Sequence, residues 1–256
     1  MLALKLALGP LLLAQALHAR RTIPRLPEAT GPREGVVGRG AAGPTLLIVG
    51  DSSAAGVGVD TQDEALAGRL SQALARRLGR RVRWQLCASS GLTSSQALAL
   101  LAQARPADVA VVVTGVNDVV EQVRPPQALA ARERLVAALR ERAGVRHVVL
   151  TPVPPMGRFA GLPQPLRWVA GRDAAAHEAA LQRWAAGQAQ VSHLPFDLPL
   201  DDATLLARDG FHPGAPLYRL WGDALARHIA EAVWPRLASH RLADPSDTPT
   251  EDPAWT

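Results

Sequence analysis

Thr45-Leu46-Leu47-Ile48-Val49-Gly50-Asp51-Ser52-Ser53 is the stretch that decides the fold. An unbroken apolar run of strand length that ends in a Gly-Asp turn reads as a buried strand, covered on both faces. Outward from it the chain alternates. Asp63–Leu78 reads as a helix, with Leu66, Leu70, Leu74 and Leu78 on one stripe and Gly79 in the stop position. Arg81–Leu86 is a second strand, and Ser94 or Ser95 is expected to cap a short helix running to about Ala104. Asp108–Val113 is a third strand, Gln127–Arg142 a helix closed by Gly144, and Arg146–Leu150 a fourth strand. A long helix is expected from Leu166 to Gly187, a short strand over Gln190–Leu194, and a last helix over Gly214–Leu237 that breaks around Pro235. Strands alternating with helices imply an α/β fold with a parallel sheet between two helical layers. The expectation is a flavodoxin-like three-layer α/β/α domain over residues 45–238, with a five-stranded parallel sheet in the order 2-1-3-4-5.

The flanks differ in composition. Residues 1–21 are apolar apart from Lys5, Gln15 and His18, and end in Arg20-Arg21. Lys5 is a thin basic region and Leu17-His18-Ala19 an imperfect cleavage site for a signal peptide. The stretch is close to the lower length limit for spanning a bilayer. It reads equally as a helix lying on a membrane or on the protein, so anchor, signal and amphipathic helix stay open, and localisation with them. Residues 22–44, rich in Pro, Gly and Arg, read as a linker, and 239–256, polar, acidic and proline-punctuated, as a disordered tail.

The net charge of +5 rests almost wholly on arginine, with Lys5 the single lysine. No basic block interleaved with aromatics is present, so nucleic acid is not an expected partner. Cys87 is the one cysteine and ends an apolar run, which excludes a disulfide framework and a thiolate metal centre.

Four short pieces carry chemistry. Ser52 follows the first strand in a tight Gly-Asp turn, with Gly56 and Gly58 beyond. Asn117 follows the third strand in Gly115-Val116-Asn117-Asp118. In an open parallel sheet of the expected order, ligands bind where strand order reverses, between those two strands. Asp209-Gly210-Phe211-His212 places a carboxylate three residues before an imidazole, which it can orient. Gly91, in Ser90-Gly91-Leu92-Thr93, offers a backbone N–H with no side chain in the way. A serine nucleophile, a histidine base, an orienting aspartate and preorganised donors are what acyl transfer through an activated serine requires. Ser53 is the alternative hydroxyl in the turn, and Asp118 is expected to support its loop.

These four blocks resemble the SGNH (GDSL-type) hydrolase superfamily, which contributes Ser, Gly, Asn and His in that chain order. Within it the chain looks like the bacterial lysophospholipase/thioesterase-like esterases. The resemblance implies Ser52 as nucleophile, Asp209 and His212 as its partners, and Ser52, Gly91 and Asn117 as oxyanion donors, with no cofactor and no metal. The family's Gly-Asp-Ser-Leu reads Gly-Asp-Ser-Ser here, so packing beneath the turn is expected to differ at Ser53.

The expectation is therefore a serine esterase acting on small-molecule or lipid-like esters. Pro152–Trp168, an apolar loop with Met156, Phe159 and Leu162, is the candidate wall for an acyl chain, and residues 2–19 are a candidate peripheral membrane contact. A carbohydrate O-acetyl esterase and a non-catalytic binding module of the same fold are the rival readings. The absence of Lys after the glycine-rich turn excludes a P-loop.

Overall fold

The computed structural model describes residues 2–194 and 202–243. Six strands form one sheet: β1 (Glu34–Val37), β2 (Ala42–Gly50), β3 (Arg81–Ala88), β4 (Val109–Val113), β5 (His147–Leu150) and β6 (Val191–His193). Their order is β1-β3-β2-β4-β5-β6. The last five are parallel and keep the expected order, while β1 is antiparallel to β3. This corrects the five-stranded expectation and removes the linker reading for 34–37. β1 escapes a pattern search because it is an edge strand of alternating exposed and half-buried residues, so its composition is that of a loop.

The helices are α1 (Leu2–Ala7), α2 (Gly9–Thr22), α3 (Ser52–Ala55), α4 (Leu66–Leu78), α5 (Val116–Val120), α6 (Pro125–Ala143), α7 (Leu166–Ala186), α8 (Ala215–His228) and α9 (Trp234–Ala243). Alternate residues of β2 serve opposite cores. Leu46 and Ile48 pack with α4 and α8 through Leu70, Leu74 and Leu225. Leu47 and Val49 pack with Leu135, Leu139 and Leu181 of α6 and α7. Both faces of the sheet are thus dry, as its continuous apolar strands require.

Two helix expectations change. Pro235 does not end the last helix. A π-helical turn over Ile229–Val233 precedes it and accommodates the missing N–H, and α9 continues to Ala243. The rest of the expected tail, 244–256, lies outside the described residues. Of the two serines offered as caps, Ser95 holds the N-cap position without a side-chain cap hydrogen bond and Ser94 does not, and the element is a 3-10 helix over Gln96–Gln103.

Ser94 belongs instead to a buried polar cluster. Arg132 of α6 and Asp118 of α5 are 2% and 1% exposed at their side chains and 3.3 Å apart. Asp118 accepts the Ser94 backbone N–H at 3.1 Å and lies 2.5 Å from Ser94 Oγ. Arg132 also reaches the Thr114 carbonyl at 3.2 Å. Gly115, at φ +135°, admits that guanidinium, since a Cβ there would stand 2.5 Å from Arg132 Nη2. Removing one member of such a pair leaves an uncompensated buried charge. Arg132→Met is expected to lower the unfolding free energy by about 3–5 kcal/mol in urea titration, and Arg132→Met with Asp118→Leu to recover part of it. A single variant as stable as wild type would show the pair to be dispensable.

Candidate active site

Three loops meet at the carboxyl ends of β2, β3 and β4. Ser52 is the first residue of α3, immediately after the turn that closes β2. Asp51 caps that helix by accepting the Ser53 N–H at 3.0 Å, and its own N–H donates to the Val113 carbonyl at 3.0 Å. The turn is thereby pinned to β4. Ser52 Oγ stands 2.9 Å from His212 Nε2 across 160 residues of chain. Of the two serines, Ser52 is the one that meets the imidazole.

His212 Nδ1 lies 2.6 Å from Asp209 Oδ2, and Asp209 Oδ1 accepts the backbone N–H groups of Phe211 and His212, each at 3.0 Å. Burial pushes the Asp209 carboxyl up, but the hydrogen bonds from the His212 side chain and from both backbone N–H groups outweigh it and hold Asp209 below its ordinary value. An ionised carboxylate only accepts, so Nδ1 carries the imidazole proton and Nε2 presents a lone pair to the serine hydroxyl. The arrangement can therefore remove a proton from Ser52 as its oxygen attacks an electrophile.

Gly91 sits in the loop after β3 at φ +82°, with open space where a Cβ would project. Asn117 is the second residue of α5. Its amide nitrogen donates to the Leu92 carbonyl at 3.0 Å, which ties the β3 and β4 loops together, and lies 3.5 Å from Asp51 Oδ2 in the turn of Ser52. The Gly91 loop has a second tether. Glu28 accepts the Ser90 N–H at 2.7 Å and the Ser90 hydroxyl at 2.8 Å. Glu28 is itself held by Arg33. Glu28 and Arg33 lie in the segment read as a linker from sequence, where nothing local marked them as supports.

Of the residues expected to form an apolar wall, Phe159 lines a small cavity of about 40 Å³ together with Ser53, Thr114, Pro152, Phe211 and Leu217. The Phe159 and Phe211 rings are 4.7 Å apart, and Phe211 meets His212 edge-on at 5.1 Å. Met156, 2% exposed, packs instead among Val153, Ala170 and Ala174, and Leu162 packs against the same cluster. Phe211 was visible in the sequence between Asp209 and His212, where no role was assigned to it.

Asp51, 2% exposed, has no cation in contact, and burial raises its carboxyl to about 6 despite the Ser53 N–H and the nearby His212. A folded-state value above the unfolded one means that native Asp51 holds its proton where the unfolded chain has released it. Stability from this group is present below about pH 4 and is lost as pH rises towards about 6. Asp51→Asn is therefore expected to gain stability over wild type as pH rises through that window, on the order of 3 kcal/mol when Asp51 is fully ionised. Thermal unfolding of both proteins between about pH 4 and 8 tests this; a gap that does not change with pH would contradict it.

Residues 48–220 match the GDSL-like lipase/acylhydrolase family. The chain is 30% identical to a GDSL-like esterase of Mycobacterium tuberculosis, over 96% of this chain and 85% of the relative. The crystal structure of TesA superposes with a TM-score of 0.59 and 25% identity, covering 72% of this chain and 97% of that one. A lipase from a goat rumen metagenome gives a TM-score of 0.58 at 18% identity, covering 73% and 97%. The esterase EstA from Pseudoalteromonas sp. gives 0.54 at 22% identity, covering 72% and 96%. These last two likenesses speak for the fold. The family match covers the end of β2, the strands β3 to β6 and all three loops at the carboxyl edge of the sheet, and the mycobacterial relative aligns with nearly the whole chain. The chain thus belongs to the GDSL-like lipase/acylhydrolase family of SGNH hydrolases and is an ester-bond hydrolase.

Proposed function

We propose that this hydrolase is a serine esterase of the lysophospholipase/acyl-esterase type, working through an acyl-enzyme on Ser52. The observation that carries the proposal is the continuous chain of short contacts, 2.9 Å from Ser52 to His212 and 2.6 Å from His212 to Asp209. His212 Nε2 takes the hydroxyl proton as Ser52 Oγ bonds to the ester carbonyl carbon. The carbonyl oxygen gains the negative charge and accepts hydrogen bonds from the N–H groups of Ser52 and Gly91 and from the Asn117 amide. The 3.5 Å contact to Asp51 is long for a hydrogen bond, which leaves one Asn117 amide hydrogen for this purpose. The imidazolium, steadied by ionised Asp209, then gives its proton to the leaving alcohol oxygen as the C–O bond breaks. Water attacks the acyl-enzyme with His212 again as base, releasing the acid and restoring Ser52.

On the acyl side, the Phe159–Phe211 pair beside His212 supplies an apolar wall, backed by Met156 and Leu162 from the cluster behind it. This favours lipid-like acyl esters. A carbohydrate O-acetyl esterase is the second reading, since the same fold and catalytic set serve both substrate classes.

Hydrolysis of p-nitrophenyl esters from acetate to palmitate separates the two. A profile that rises beyond acetate supports the lipid-like reading, and one confined to acetate supports the second. In either case Ser52→Ala is expected to cut kcat/KM by roughly a thousandfold or more. Ser53→Ala should cost less than about tenfold. Equal losses from both substitutions would reject Ser52 as the nucleophile.

A further inference from the structure

α1 and α2 rest on the body of the protein by a mixed underside, where Leu8, Leu12 and Ala16 are half-buried beside several polar contacts. Lys5 pairs with Asp173 at 2.5 Å and donates to Gln122 at 2.9 Å. Gln15 donates to the Gln164 carbonyl at 2.7 Å and accepts the Leu166 N–H at 3.0 Å, and Arg20 pairs with Glu121 at 3.0 Å. Ala19 is buried on the same side. The outward side carries leucines as well. Leu6, Leu11, Leu13 and Leu17 are 71%, 47%, 62% and 45% exposed. A helix docked in water ordinarily confines its leucines to the inward face, whereas these helices leave four more of them exposed.

The body continues this surface. Val120 adjoins Glu121 and Gln122, which hold the two helices, and Trp168 lies two residues beyond Leu166, which Gln15 holds. Both are more than two-fifths exposed, so six of the eight exposed large apolar side chains among the described residues fall in this one region. Single exposed leucines need no explanation, but a concentration of this kind marks a surface that is covered in use.

The charges around it identify the cover. Arg21 follows Leu17 by one helical turn and makes no ion pair among the described residues, and Arg172 stacks over the Trp168 ring at 5.7 Å. Glu121 and Asp173, the acids in contact with these helices, are taken up by Arg20 and Lys5. Leucines with an aromatic ring, bordered by arginines, suit the boundary between acyl chains and phosphate headgroups. No helix among the described residues is long and apolar enough to cross a membrane.

We propose that the outer face of α1 and α2, with Val120 and Trp168, docks on the surface of an anionic lipid bilayer. The helices would lie in the plane of the interface. The docking face is carried by the neighbours of the site, because Glu121 and Gln122 follow directly on α5, which bears Asn117. Delivery of membrane-borne esters to Ser52 rests on the proposed function; the docking does not.

The test is co-sedimentation of the full chain with phosphatidylcholine vesicles, with and without phosphatidylglycerol. Wild type is expected to sediment with the anionic vesicles and to be weakened by salt. Leu13→Glu with Leu17→Glu should lower the binding constant by at least about tenfold. Hydrolysis of soluble p-nitrophenyl butyrate by that variant, measured without vesicles, should match wild type and so report an intact fold. Wild type left in the supernatant with both vesicles would overturn the proposal, as would a glutamate variant that still sediments. A wild-type dimer that the same substitutions dissociate would overturn it in favour of a contact between two copies. Sedimentation by a wild type that hydrolyses no ester would uphold the docking and reject the esterase assignment.

Discussion

The buried contact between Arg132 and Asp118 is the constraint on which the active-site edge of this molecule depends. It joins the middle of α6 to the start of α5, and through Ser94 and Thr114 it reaches the ends of β3 and β4. Asn117 precedes Asp118 and the Gly91 loop precedes Ser94, so both walls of the site are anchored to one ion pair. An exposed pair would do little of this, because solvent screens it and side-chain freedom opposes it. Buried and hydrogen-bonded at nearly every position, it admits one arrangement of the loops.

Two buried carboxylates flank the nucleophile and behave in opposite ways. Asp209 receives three hydrogen bonds and is held ionised, as a partner of the imidazole must be. Asp51 receives the Ser53 N–H and a long contact from Asn117, with no cation in contact, so burial dominates and its carboxyl rises to about 6. The difference lies in the number of donors each oxygen meets. Asp51 thus places a cost on the fold where it organises the turn, a common feature of sites in which geometry takes precedence over stability.

The parallel sheet was legible because period and punctuation suffice for it, while the strand order that places the crevice was taken from the flavodoxin-like pattern and is met by the five parallel strands. β2, β4 and β5 are continuous apolar runs ended by turns, and such strands leave few alternatives to a parallel sheet covered on both faces. β1 was not legible, since Glu34-Gly35-Val36-Val37 is short, does not alternate polar with apolar and puts Val36 at an exposed position. The π-helical turn before Pro235 was also hidden, because a proline in a helical pattern reads as a stop unless the preceding turn is known to widen. Ser94 looked like a cap for the same reason: a serine before an apolar run is a cap by local rules, and only the fold brings Asp118 to it.

The sequence by itself offered the candidate parts of the site. Ser52, Gly91, Asn117, Asp209 and His212 stand in recognisable local contexts, and the chemistry of a base-activated hydroxyl restricts which residue types those contexts can serve. The tertiary structure alone decided how the parts are held. Arg132 is one of several arginines on its helix, and nothing nearby in the chain distinguishes it from Arg134 or Arg140. Glu28 lies in a segment that reads as a linker, yet it fixes the loop of Gly91. The outward leucines of α1 and α2 form an apolar stretch on paper, and only docking shows which side of the helix faces water. The physical reason is common to all three. Turn and strand signals are written within a few residues, whereas a buried partner is chosen by the space left between elements far apart in the chain.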